Sequence, residues 1–201
     1  MSAFPFVYLA SQSPRRQALL DQIGVSYQVL LPTDPEAAEA LEAVLPQESA
    51  LRYVKRVTRL KVQAAMRQMH QQSLPFAPVL CADTTVVVDS QILGKPANTG
   101  QATDMLNLLS GKTHQVLTAV AIGHNQAIHL ALSRSRVKFA PMTATEIQDY
   151  VASLEPMGKA GAYAIQGRAS AFISHVSGSY SGIMGLPLYE TTLLLKRIRI
   201  A

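Results

Sequence analysis

Tryptophan is absent from this 201-residue chain, which has only seven tyrosines and five phenylalanines. So few aromatics argue against a stable nucleic-acid partner, whose bases would need successive rings to stack on. Charged residues make up 15% of the chain, and Lys and Arg outnumber Asp and Glu by 18 to 13. The basic residues are dispersed, so the net charge of +5 suits a small anionic ligand without calling for a nucleic acid. The lone cysteine, Cys81, excludes an intrachain disulfide framework or a cysteine-based zinc site and fits a reducing, intracellular setting. No apolar run approaches the roughly 18 residues of a membrane span. The opening MSAFPFVYLA has neither the basic leader nor the cleavage pattern of a signal peptide. A cytoplasmic location with no membrane partner is the expectation. GxxxxGK[ST] and GxGxxG are both missing, which removes two common nucleotide fingerprints. The five histidines, at 70, 114, 124, 129 and 175, show no HxxxH spacing and read as structural or surface.

What the chain does have is apolar residues, 48% of the total, enough for one domain over 1–201 with a sizeable core. FVYLA (6–10) reads as a buried strand feeding a helix that starts at Ser13-Pro14 and stops at Gly24. YQVLLP (27–32) is a second strand, followed by an acidic loop, TDPEAAEALEAVLPQE, and a long helix over about 47–71. PVLCADTTVVVD (78–89) is a β-branched strand closed by the turn SQILGKP. A helix over 99–111, with Thr99 as its cap and Gly111 as its stop, precedes two long strands joined at HNQ. Thr143 and Glu146 form a capping box on a further helix. AFISHVSG (171–178) is a strand and GLPLYETTLLLKRI the last helix. Helices alternate with strands, but hairpins are mixed in. The expected class is α/β, a mixed twisted sheet with flanking helices and two lobes around a cleft.

Several residues resist a purely structural reading. Arg15 and Arg16 occupy the first turn of the Ser13 helix, where the partial positive charge disfavours each cation by roughly 0.3–1 kcal/mol. Either they are solvated there, or an anion sits at the helix start, with Ser11 and Ser13 adding hydroxyls. Asp83 lies within VLCADTTVVV, where a carboxylate is costly unless paired, hydrogen-bonded or metal-bound. It reads as a metal ligand or general base at a cleft edge, or as a backbone-bonded strand-end residue. Lys61 shares the apolar stripe of Val54, Val57, Ala64 and Ala65 on the long helix, either snorkelling or aimed into the cleft. Lys95 sits in the LGKP turn. The loop AGAYAIQGRAS (160–170) lets a ligand approach its backbone, and the amide of Gln166 within it can both donate to and accept from a base edge. SGSYSGIMGLP (177–187) is a second glycine-serine loop that could cradle an anion.

The segments LASQSPRRQALL, ADTTVVVDSQILGKP, SGKTHQVLTAVAI, KAGAYAIQG and GSYSGIMGLPLYET, in this order, resemble the Maf family of nucleoside triphosphate pyrophosphatases across almost the whole chain. The resemblance implies a fold similar to the inosine-triphosphate pyrophosphatases. It implies hydrolysis of a nucleoside triphosphate to the monophosphate and pyrophosphate with Mg2+ or Mn2+, and a homodimer. It makes Asp83 the catalytic proton acceptor and a metal ligand. It links Arg15, Thr84 and Gln166 to substrate choice, and lines the site with Ser11, Ser13, Arg16, Lys61 and Lys95. Asp83-Thr84 and Gln166-Gly167 resemble the members acting on dTTP and UTP, whereas Gly94 in LGKP resembles those acting on 7-methyl-GTP. The family's acidic pair after the second strand is rearranged here. Glu36 is the expected metal carboxylate from that region, with Asp34 as its rival. A nucleotide-binding regulator of cell division is the alternative in which hydrolysis is incidental.

Overall fold

The computed structural model describes residues 4–198. In chain order the elements are β1 (Val7–Leu9), α1 (Pro14–Gln22), β2 (Tyr27–Val29), α2 (Pro35–Ala40), α3 (Ala50–Gln71), β3 (Val79–Val88), β4 (Gln91–Leu93), α4 (Thr99–Leu109), β5 (Thr113–His124), β6 (Ala127–Phe139), α5 (Ala144–Ala152), β7 (Ile173–Ser177), α6 (Tyr180–Met184) and α7 (Leu188–Arg197). Two 3-10 turns, Ala160–Ala162 and Arg168–Phe172, interrupt the segment between α5 and β7. The mixed α/β class is as expected.

Local chemistry accounts for most boundaries. Ser49 caps α3 by accepting from the amide of Arg52, and the Thr143–Glu146 capping box opens α5. Three details differ from expectation. Ser13 stands at the N-cap of α1 but its side chain makes no cap bond, and Pro14 alone marks the start. Asn98, not Thr99, caps α4: it precedes the first turn with extended backbone, and its Oδ1 accepts from the amide of Gln101 at 2.9 Å. The acidic loop contains a short helix, α2, because Asp34 accepts from the amide of Ala37 and Pro35 opens the first turn.

The seven strands form one sheet, in the order β2-β1-β3-β5-β6-β7, with β4 added beside β3. β1 runs parallel to β2 and β3, and every other pairing is antiparallel. β3 organises the molecule. One of its edges pairs with β5 from Val79 to Val87. Its other edge pairs with β1 at Val79 and Leu80, then with β4 from Val86 to Val88. Between Leu80 and Val86 that second edge has no strand neighbour, because β1 has turned away into α1 and β4 has not begun. A sheet that splits in this way opens a crevice at the carboxyl end of a parallel strand, the same logic that puts ligands at switch points of α/β folds.

The core divides around the split. Leu9, Leu20, Leu80, Ile122, Leu186 and Leu195 pack β1, α1 and α7 on one side. Val86, Leu106, Phe139, Ile147, Tyr150 and Ile165 pack β4, α4, α5 and the 3-10 segment on the other. α3 covers the opposite sheet face through Val54, Val57, Val62 and Met69, at helical spacing.

His114, on β5, is 1% exposed, with its ring edge-on to Phe139 and Tyr163. Its Nε2 is 2.8 Å from the Tyr163 hydroxyl, and its Nδ1 has no partner among the described residues. Burial pushes its pKa down to about 4. Folding therefore favours neutral His114, and the unfolded chain takes up a proton that the native chain refuses. This contribution to stability is complete above about pH 6.5 and is lost as the pH falls toward 4, at about 1.4 kcal/mol per pH unit. Urea unfolding at pH 7, 6 and 5 is expected to show that fall, and His114→Gln to flatten it.

Candidate active site

The crevice beside β3 is a cleft of about 650 Å3, within the range of small-molecule sites. Its walls come from the turn after β1, the first turn of α1, the α2–α3 connection, β3, the β4 turn, the 3-10 segment and the end of α6. Of the residues expected from sequence, Ser11, Ser13, Arg15, Arg16, Lys61, Asp83, Thr84, Lys95 and Gln166 all line it.

Asp83 is 7% exposed on the stretch of β3 that lacks a strand neighbour. Its Oδ1 accepts from Lys61 Nζ at 2.6 Å. Lys61 reaches it because α3 places its side chain one turn beyond Val57, on the face turned to the sheet. The cleft-directed reading of Lys61 therefore holds. The same Nζ donates to Glu42 Oε1 at 2.7 Å, and Lys95 Nζ donates to Glu42 Oε2 at 2.9 Å. Burial works against the charge on Lys61, but Asp83 and Glu42 outweigh it and hold its pKa above the ordinary lysine value. Burial likewise opposes the charge on Glu42, and Lys61 and Lys95 outweigh it, so Glu42 sits below the usual glutamate range.

Glu42 is the residue that sequence reasoning missed. Glu36 is exposed in the first turn of α2, outside the residues lining the cleft, and Asp34 is occupied in capping α2. Glu39 and Glu42 both line the cleft, and Glu42 is the one that pairs with its lysines, because Arg56 folds the 41–48 segment back onto α3. Its guanidinium pairs with both oxygens of Glu48 at 2.7 Å and donates to the carbonyls of Leu41 and Ala43, bracketing Glu42. Tyr53 donates its hydroxyl to the Glu42 carbonyl at 2.9 Å. No spacing in the sequence announces this, since the contact depends on tertiary folding of an irregular segment.

The two arginines have partners of their own. Arg15 Nε donates to the Met184 carbonyl at 3.3 Å, and Arg16 Nε donates to the Gly185 carbonyl at 2.8 Å. Those carbonyls end α6, whose partial negative charge offsets the positive pole of α1. Gly185, at φ 126, supplies the backbone turn that presents them. Arg16 Nη1 also donates to Ser11 Oγ at 3.1 Å, and Ser11 accepts in turn from the Ser13 amide. Held by their Nε atoms, both guanidiniums keep Nη donors for the cleft. Burial lowers the pKa of each, and for Arg16 the charge of Asp83 partly restores it. Lys159, unremarked in the sequence, adds a further cation to the wall; burial, then the charge of Arg15, lowers its pKa.

Thr84 faces the α6 side, with its hydroxyl 3.1 Å from that of Thr118, which donates to the Gly182 carbonyl at 2.7 Å. Gln166 stands exposed on the rim between the two 3-10 turns. No group of three or more His, Cys, Asp or Glu suited to a metal occurs among the described residues. Asp83 and Glu42 do fit a hard cation that takes one or two protein carboxylates and draws its remaining oxygens from phosphate and water. Asp83 Oδ2 accepts no protein hydrogen bond among the described residues, so it is open to a water molecule or to such a cation.

The strand-split crevice is thus a small-molecule-sized cleft lined with cations around one buried carboxylate. Residues 6–198 match the family described as Maf-like protein, and the chain belongs to that family. It is 63% identical to a dTTP/UTP pyrophosphatase of Polaromonas sp. (strain JS666) over 98% of this chain and 97% of the relative. It is 59% identical to one of Albidiferax ferrireducens (95% and 96% covered) and 56% identical to one of Cupriavidus pinatubonensis (97% and 98%).

Removing the shared cation tests the arrangement. Lys61→Met leaves two carboxylates facing each other, so one is expected to bind a proton more readily and the Glu42 pKa to rise above the ordinary range. A carboxyl-carbon NMR titration reads this directly, together with a loss of about 1–3 kcal/mol in unfolding free energy.

Proposed function

We propose that the chain hydrolyses dTTP and UTP, and related pyrimidine nucleotides, to the monophosphate and pyrophosphate, clearing the cytoplasmic nucleotide pool. The observation that carries this reading is the near-full-length similarity to proteins named dTTP/UTP pyrophosphatase. The cleft supports it through a carboxylate with a free oxygen amid cations suited to a triphosphate.

On this reading Asp83 Oδ2 takes a proton from a water molecule. The oxygen of that water bonds to the α-phosphorus as the bond to the bridging oxygen of the β-phosphate breaks, and pyrophosphate leaves. Lys61 orients Asp83 through its hydrogen bond, while Arg15, Arg16, Lys95 and Lys159 balance charge on the phosphates, an effect that strengthens in a water-poor cleft. Ser11 and Ser13 position that end of the substrate. Asp83 and Glu42 would hold a divalent ion such as Mg2+ or Mn2+, which when bound neutralises phosphate charge and acidifies water. Thr84 and Gln166 face the base. An amide donates and accepts at once, which matches the carbonyl and imide N–H that thymine and uracil share. A carboxylate in that place would suit a methylated purine better.

Asp83→Asn is expected to cut pyrophosphate release by about a thousandfold or more with the thermal midpoint preserved to within a few degrees. Near-normal turnover in that variant would remove Asp83 from the reaction. Turnover of a panel of dTTP, UTP, CTP, GTP and 7-methyl-GTP, with Mg2+ and then with chelator, separates the readings. Preference for 7-methyl-GTP would assign the weight to Gly94, and binding without turnover would favour a nucleotide-sensing regulator.

A further inference from the structure

The rim residue Gln166 belongs to no long helix or strand, yet its flanks are firmly held. Behind it lies Glu155, three residues beyond α5 and half-buried. Glu155 Oε1 accepts from the Tyr150 hydroxyl at 2.8 Å, and Oε2 accepts from the Arg168 amide at 3.1 Å. The Ala169 amide lies close enough to the same carboxylate to help hold its charge. Burial would raise the Glu155 pKa, but these donors outweigh it and hold it below the usual range, so the group is ionised at neutral pH. The carboxylate lies directly on Gly167, where an added Cβ would fall 2.2 Å from Oε1. Gly167 has φ −99, which any residue can adopt, so the carboxylate, and not backbone strain, is what requires glycine there. Tyr150 is fully buried, so the donor that aims Glu155 is itself fixed. The main-chain carbonyl of Glu155 also accepts from Lys159 Nζ, which ties the same residue to a cation on the cleft wall.

We propose that Glu155 is a positioning residue that clamps the Gly167–Ala169 backbone and thereby fixes Gln166 on the rim, setting discrimination between UTP and CTP. It touches no substrate itself. The role in discrimination rests on the proposed function, whereas the clamp does not. UTP and CTP differ in the hydrogen-bonding polarity of one base edge; a fixed backbone limits the approaches from which the Gln166 amide meets that edge, whereas a wandering one lets it pair with either base.

The test uses the full chain with Glu155→Gln, Gly167→Ala, Glu155→Ala and the Glu155→Ala/Gly167→Ala double variant. Hydrogen exchange at the Arg168 and Ala169 amides is expected to quicken about tenfold in Glu155→Gln, the loss of roughly one charge-assisted bond. KM for UTP is expected to rise about five- to tenfold and the UTP:CTP preference to shrink similarly, with kcat within about threefold, because the reacting phosphorus is untouched. Gly167→Ala should reproduce the KM effect in the native background and add little once the carboxylate is gone, the coupling expected of two groups in contact. Unchanged exchange in Glu155→Gln, or additive effects in the double variant, would overturn the clamp. Faster exchange with an unaltered UTP:CTP ratio would overturn the role in discrimination. A native protein inert toward UTP would remove the functional reading, and exchange would then decide the clamp by itself.

Discussion

Asp83 sets a condition that much of the cleft meets. It sits in a strand whose neighbours are Cys81, Ala82, Thr85 and Val86, all buried, where a carboxylate without a partner is costly. Lys61 answers it, and Lys61 can do so only if α3 crosses the sheet with one face turned to β3. The apolar residues of that same face secure this crossing. A single ammonium shared by two carboxylates leaves one negative charge, which Lys95 then meets from the β4 turn. The chain of partners therefore ties α3, β3, the α2–α3 segment and the β4 turn to one point on the split edge. Its members are 20–49% exposed apart from Asp83, so the network stays open to solvent, and to a ligand that competes for its charges.

The arginines show how a helix pole can carry cations without an anion in place. α1 begins where β1 leaves the sheet, so its positive end opens on the cleft. α6 ends against it, and its terminal carbonyls take the Nε atoms of Arg15 and Arg16. Neither solvation nor a ligand is needed to keep the side chains in place, although both were natural readings of two arginines in a first turn. What is left over is the part of each guanidinium that matters for a phosphate, a planar fork held in one orientation before binding. Ordering two arginines in advance lowers the entropy that a ligand would otherwise have to overcome.

The fold was legible where local chemistry governs. Pro14, the Thr143–Glu146 box, the β-branched run of β3 and the HNQ turn each lie on or beside the element they indicate. The cleft residues were legible in part because Asp83, Arg15 and Arg16 are each improbable in their local setting, and improbability is visible in a sequence. Glu42 was not, since a glutamate in an acidic irregular segment is unremarkable until Arg56 folds that segment over α3. The α6 carbonyls were invisible for a different reason: main-chain acceptors carry no sequence signature at all. Thr99 read as the cap of α4, and the structure gives that place to its neighbour Asn98, whose side chain accepts from the Gln101 amide.

The two walls of the cleft are stiffened by different physics. The wall of α1, α3 and the β4 turn is built from alternating charges, whose strength depends on what occupies the cleft and on the ionic strength around it. The 3-10 wall is held by a carboxylate behind it that spends its charge on backbone amides and a buried tyrosine, away from the ligand. An ionised glutamate suits that place, because it accepts from both the Tyr150 hydroxyl and the Arg168 amide without offering a competing proton.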